Sequence, residues 1–146
     1  MHFKLHAMQL YLAPLQGYTE FLFRNAYMRH FKGIDIAIAP FIPSGLGETV
    51  RHARIRDLWK EHNQLLEVDP QIIGKNAKEI IPAAKYLFDY GYDTLNINMG
   101  CPIPTIRAKM RGSGMLAYPE MVEMLLEKLT DELQNKISLK IRLGNE

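Results

Sequence analysis

Apolar and polar residues alternate over a few short stretches of this chain, and between those stretches the apolar residues recur at helical spacing. The clearest alternation runs over residues 94–98, Thr-Leu-Asn-Ile-Asn. It puts Leu95 and Ile97 on one side of a pleat and Asn96 and Asn98 on the other. Gly100 permits a tight bend after it, and Pro102 stops further pairing. Four more strands are predicted, at residues 9–13, 35–39, 70–74 and 138–142. Helical spacing is predicted over residues 20–30 with Thr19 as N-cap, over residues 76–90 with Asn76 as N-cap and Gly91 as terminator, and over residues 119–133. In the first of these, Phe21, Phe23, Tyr27, Met28 and Phe31 recur at helical spacing, and the second would turn Ile80, Ala84, Leu87 and Phe88 inward. Pro82 inside the second helix costs stability unless it falls in the first turn or marks a kink. A loop over residues 43–47 opens a charged region with a short helix at about residues 53–60, and residues 107–114 read as a basic, glycine-bearing loop.

Strand and helix alternate throughout, which argues for a parallel sheet. Special residues follow each strand: Pro14, Leu15 and Gln16, then Pro40, Gln71, Asn98 with Cys101, and Lys140 with Arg142. A barrel collects its strand ends on one rim, whereas an open sheet concentrates them at one switch point. No GxGxxG fingerprint marks the first turn. The expected fold is therefore α/β, of the TIM (β/α)8 barrel type, with about the first five strands present. A barrel needs about eight strands and about 250 residues. Residues 1–146 are thus expected to be the N-terminal portion of one larger domain.

Composition changes this picture little. The 146 residues are 47% hydrophobic and 23% charged, and no apolar run approaches bilayer length. The first residues lack a signal-peptide pattern, and a single cysteine forms no internal disulfide, so a cytoplasmic setting is expected and no metal site. A net charge of +2 does not by itself point to a polyanion.

The candidate chemistry starts at Cys101, the only cysteine, in a Gly-Cys-Pro turn at a strand end. A free cysteine is often a small buried hydrophobe, but this placement favours function. Asn98 either caps the turn with its amide or offers a donor and an acceptor to the edge of a uracil-like ring. Asn96, on the same face, either joins it or fills the interior. Lys140 and Arg142 share a strand face, as a solvated edge or as site cations. Arg107, Lys109 and Arg111 follow Cys101 with no acidic residue before Glu120, which suits phosphates as well as solubility. Arg51, His52, Arg54, Arg56 and Lys60 form a second basic cluster. Tyr18, Trp59 and Tyr118 are candidates for base stacking or for the core.

Four blocks carry a resemblance: Ala13-Pro14-Leu15-Gln16-Gly17-Tyr18-Thr19 with Phe23-Arg24, Pro70 to Gly74, Asn96 to Pro102, and Lys140 to Gly144. Through them the chain resembles the N-terminal part of the tRNA-dihydrouridine synthases, flavoenzymes that reduce uridines in tRNA. It departs from the family's pattern at Leu15, Gln16 and Asn96, where methionine, a small or acidic residue, and aspartate are usual. The family's later histidine and flavin-phosphate loops lie outside this sequence. The resemblance implies FMN as cofactor, NAD(P)H as reductant and tRNA as partner, with Cys101 as general acid. It implies flavin contacts from Pro14, Leu15, Gln16, Gln71 and Lys140, and substrate contacts from Asn98, Arg107, Lys109 and Arg142. A thiol of pKa ~8.5 is mostly protonated at neutral pH and can still give up its proton, as an acid must. Two other readings remain: a different flavin barrel acting on a small pyrimidine or enone, and a non-catalytic fragment or RNA-binding module.

Overall fold

The computed structural model describes residues 8–44 and 52–143. Among the described residues are seven short parallel strands, with helices or 3-10 turns between them except at two places where one strand directly follows another. The strands are β1 (Tyr11–Leu12), β2 (Ile36–Ile38), β3 (Ile42–Pro43), β4 (Glu67–Asp69), β5 (Gln71–Ile73), β6 (Thr94–Asn98) and β7 (Lys136–Lys140). The helices are α1 (Phe21–His30), α2 (Ala77–Asp89), α3 (Pro104–Arg107) and α4 (Pro119–Glu132), with 3-10 turns at His52–Leu58, Lys60–His62 and Gly112–Met115.

Hydrogen bonding divides the strands into two ladders, β1-β2-β4 and β3-β5-β6-β7. The division falls where proline interrupts. Pro40 lies between β2 and β3, and Pro70, which has no N–H to give, lies between β4 and β5. Single bonds carry the ladders across these breaks. The Ala39 N–H donates to the Asp69 carbonyl at 2.9 Å and the Asn96 N–H to the Pro70 carbonyl at 2.8 Å. The segments thus run in five parallel lines in chain order. Tyr11, Ile38, Asp69, Thr94, Asn96 and Ser138 line one open concavity of about 550 Å³. The sheet is therefore curved, with its first and last strands facing a common space.

The core lies on the sheet's other face. Ile72, Leu95 and Ile97 are fully buried there with Ile80, Ala84 and Leu87 of α2 and Leu125 and Leu129 of α4. Asn76 caps α2 as predicted, its side chain accepting from the Lys78 N–H at 3.0 Å. Pro119 opens α4 in the first turn, where its missing N–H costs nothing.

Several expectations are corrected. Segments β3 and β4 were not predicted, because two- and three-residue runs beside a proline carry no periodicity. Strand β7 begins two residues earlier than expected and ends at Lys140, the residue paired with Asn98 at the end of β6. The expected loop at residues 107–114 is partly helical: Arg107 closes α3, and Gly112 opens a 3-10 turn. Thr19 does not cap α1. Its hydroxyl accepts from the Leu15 N–H at 2.8 Å, and the Asp57 carboxylate, 36 positions on, takes the Phe21 N–H at 2.6 Å instead. The buried residue of α1 is Arg24, while Phe23 and Phe31 are exposed. Arg24 is held by the Asp57 carboxylate, the Thr19 and Asp57 carbonyls and the Asn63 side chain, which pairs its buried charge and leaves its Nε without a partner among the described residues.

Candidate active site

Parallel strands put all their carboxyl ends on one side, and the predicted site residues follow or close the strands there, except Gln71. Expected at a strand end, it is instead the first residue of β5, paired with Asn96, because Pro70 breaks the segment before it. Pro14, Leu15 and Gln16 follow β1, with Leu15 and Gln16 exposed in a turn closed by the Tyr18 and Thr19 N–H groups on the Leu15 carbonyl. Gln71 opens β5, Asn98 ends β6, and Lys140 ends β7 directly opposite Asn98 in register. Lys140 is half-buried and makes no salt bridge among the described residues.

Cys101 is held on both sides. The Asn98 Oδ1 accepts the Gly100 N–H at 3.1 Å and the Cys101 N–H at 3.0 Å. The Cys101 carbonyl accepts the Ser113 N–H at 3.0 Å. The thiol itself is half-exposed. Asn98 therefore does cap the turn, and only one N–H of its amide remains for a ligand.

Gln71, Asn96 and Asn98 are buried and bonded to each other. Asn98 Nδ2 donates to Gln71 Oε1 at 2.8 Å, Gln71 Nε2 to Asn96 Oδ1 at 2.6 Å, and Asn96 Nδ2 to Ser138 Oγ at 2.8 Å. Sequence reasoning reached three of these four residues and missed their connection, as well as Ser113 and Ser138. Beside them, Thr94 Oγ1 donates to the buried Asp69 carboxylate.

The loop after Cys101 is not a free basic arm. Gly112 has φ +56°, and a Cβ there would sit 2.7 Å from the Cys101 carbonyl oxygen and 2.9 Å from its Cβ, so the chain packs directly against Cys101. That close approach, rather than loose backbone, is what the glycine provides. Arg111 turns back to Glu79 of α2 at 3.2 Å, and the same carboxylate oxygen accepts from the Ser44 hydroxyl at 2.9 Å. The acidic partner absent from the local sequence thus arrives from another element. Arg107 and Lys109 stay exposed, and Arg107 lines a groove of about 490 Å³ with Met110 and the half-exposed Tyr118.

The remaining candidates separate. Arg142 is exposed beyond the end of β7. Lys60 lies over the Tyr92 ring, 3.8 Å from its centroid, just before β6 and so at the opposite end of the strand from Cys101. Arg56 stacks over Phe21. Arg51 and the side chains of His52 and Arg54 fall outside the described residues, as do residues 45–47 of the first loop and Gly144. Trp59 packs against the core, whereas Tyr18 is exposed.

Among the described residues no cluster of histidine, cysteine and carboxylates could hold a metal, and no helix is long and apolar enough to cross a membrane. What the geometry defines is a parallel α/β protein with a tethered cysteine turn and a lysine, without a salt bridge among the described residues, at the carboxyl ends of neighbouring strands.

The chain belongs to the dihydrouridine synthase family, whose model, "Dihydrouridine synthase (Dus)", matches residues 11–146. It is 31% identical to tRNA-dihydrouridine synthase B of Pasteurella multocida over 137 residues, which are 93% of this chain and 40% of that protein. It is 27% identical to tRNA-dihydrouridine synthase B of Escherichia coli K12 over 142 residues, 93% of this chain and 41% of that protein. A probable tRNA-dihydrouridine synthase of Rhodobacter capsulatus is 28% identical over 133 residues, covering 91% and 40%. The chain thus spans about two fifths of the length of these curated relatives.

Proposed function

We propose that this chain is the first portion of a flavin-binding (β/α)8 barrel that reduces uridines in tRNA to dihydrouridine, with Cys101 as the proton donor. The observation that carries the reading is Cys101 itself. A thiol fixed through its N–H and its carbonyl stands at the carboxyl end of β6, inside the stretch that matches the family.

The residues present suit a flavin. Lys140, a half-buried cation with no salt bridge among the described residues, would hold the electron-rich pyrimidine end, and the exposed turn at Pro14, Leu15 and Gln16 would offer backbone groups to the ring. Gln71 fits less freely. Both polar atoms of its buried amide are engaged, so one N–H and one lone pair of the oxygen are what it can contribute. When bound, FMN supplies the hydride to one carbon of the uracil double bond, drawn from NAD(P)H.

The chain's own residues do the rest. Cys101 Sγ carries the proton for the neighbouring carbon, from the other side of the base. The free N–H of Asn98 is available to a carbonyl on the pyrimidine edge. Arg107 and Lys109 are exposed in the segment that follows Cys101 and suit the phosphates of an RNA, and Arg142 extends the positive charge beyond β7. Those exposed cations favour tRNA over a small pyrimidine.

The test uses the full-length protein carrying Cys101→Ala. Dihydrouridine formation in tRNA is expected to fall by about 100-fold or more while flavin absorbance is retained. Full activity in the folded variant would remove Cys101 from the role of acid. A colourless full-length protein that takes up no flavin on reconstitution would remove the flavoenzyme reading altogether.

A further inference from the structure

The hydrogen bonds around Asn98 have only one possible direction. The Gly100 and Cys101 N–H groups can only donate, so the oxygen of the Asn98 amide must face them. Its nitrogen then faces Gln71 and must donate, which turns the Gln71 oxygen towards Asn98 and the Gln71 nitrogen towards Asn96. The Asn96 oxygen is then the acceptor, and the Asn96 nitrogen donates to the Ser138 hydroxyl. A flip at any amide sets donor against donor or acceptor against acceptor at its neighbours. Ser138 can both donate and accept, so the chain ends in a group that imposes no direction of its own. The direction is set at the Cys101 turn and runs through β6, β5 and β7.

We infer that Gln71, Asn96 and Ser138 are positioning residues for Cys101, acting by anchoring the Asn98 amide that caps its turn. None of the three touches the thiol turn directly in this network. The two backbone N–H groups decide which way the Asn98 amide faces, and the three partners hold it there, so that both N–H groups stay capped. The catalytic meaning rests on Cys101 being the proton donor; the positioning does not.

Alkylation of Cys101 by iodoacetamide in the full-length protein, followed by the mass of the peptide carrying it, reads this positioning without substrate or flavin chemistry. Asn98→Ala is expected to raise the alkylation rate about fivefold by releasing the turn. Asn98→Asp keeps an acceptor for both N–H groups and is expected to bring the rate back to wild type or below. Gln71→Leu, 27 positions away from Asn98, is expected to raise the rate by a factor similar to Asn98→Ala. The double variant is expected to exceed Asn98→Ala by less than about 1.5-fold. Amide hydrogen exchange at Gly100 and Cys101 should accelerate in parallel, and about twofold in Ser138→Ala, whose altered residue is exposed and leaves the core intact. Additive effects, or unchanged exchange and alkylation in Gln71→Leu and Ser138→Ala, overturn the inference. If Gln71→Leu does not fold, Ser138→Ala and the Asn98→Ala and Asn98→Asp pair decide it. Because alkylation and exchange are independent of tRNA turnover, a failed positioning result is distinct from a failed assignment of function.

Discussion

Tyr92 is buried at the start of the segment that leads into β6, and its hydroxyl donates to the Leu58 carbonyl at 2.6 Å. Burial pushes its pKa above the ordinary value of 10, against an opposing pull from the Arg24 charge. A folded-state pKa above the unfolded one means that the neutral phenol is favoured in the fold. The stability it contributes is fully present below about pH 10, and is lost as pH rises from there towards the folded-state value. Thermal melts between about pH 9 and 11 should therefore fall more steeply for the native chain than for Tyr92→Phe. At neutral pH the variant is expected to lose about 1 kcal/mol for the missing hydrogen bond. Equal alkaline slopes would show that this hydroxyl does not titrate differently in the fold. Arg24 teaches a related lesson at the same scale. Its position within an apolar run gave no sign that it would be the buried side chain of α1, because that depends on Asp57 and Asn63 arriving from elsewhere.

Helix α2 carries its own defect. Pro82 is the sixth residue of the helix, past the first turn, so it removes the N–H that the Lys78 carbonyl would otherwise receive. Both residues are exposed, which lets water take that carbonyl. Pro82→Ala restores the bond and is expected to stabilise the fold by about 1–3 kcal/mol, read as a shift in the urea midpoint. A lower midpoint would mean that the proline conformation is itself required. The elements most legible in the sequence were those with a sustained period and a cap: α2 with Asn76, α4 with Pro119, and β6, whose bounds coincide with the predicted ones. The least legible were β3 and β4, too short for any period, and the inward face of α1, whose phenylalanines the described residues leave largely uncovered.

Across the whole molecule, exposed apolar side chains gather at the two borders of the sheet. Leu10, Tyr11, Leu22, Phe23 and Phe31 lie along β1 and α1, and Met124, Leu139, Ile141 and Leu143 along α4 and β7. The outer edges of β1 and β7 also lack strand partners among the described residues. Unpaired edges beside apolar surface promote association. Residues 1–146 expressed alone are therefore expected to elute as oligomers or aggregate in size-exclusion chromatography, and a monodisperse monomer would contradict this. The site was legible in part for the same reason of scale. Cys101 and Asn98 announce themselves within one short stretch, whereas the amide link from Asn98 to Gln71 joins residues 27 apart, and the Glu79 partner of Arg111 lies 32 away. Periodicity does not report such meetings.

The seat of the thiol turn is built from the far end of the chain. The Met99 N–H donates to the Lys140 carbonyl at 2.9 Å, and a side chain at Gly100 would meet the Ile141 carbonyl oxygen at 3.2 Å. In the order of synthesis, the cysteine leaves the ribosome about 40 residues before the strand it rests on, and loop closure over that distance must precede its seating. A nascent chain paused between the two carries the cysteine turn with no strand behind it. The interval between making the turn and seating it is thus written into the strand order.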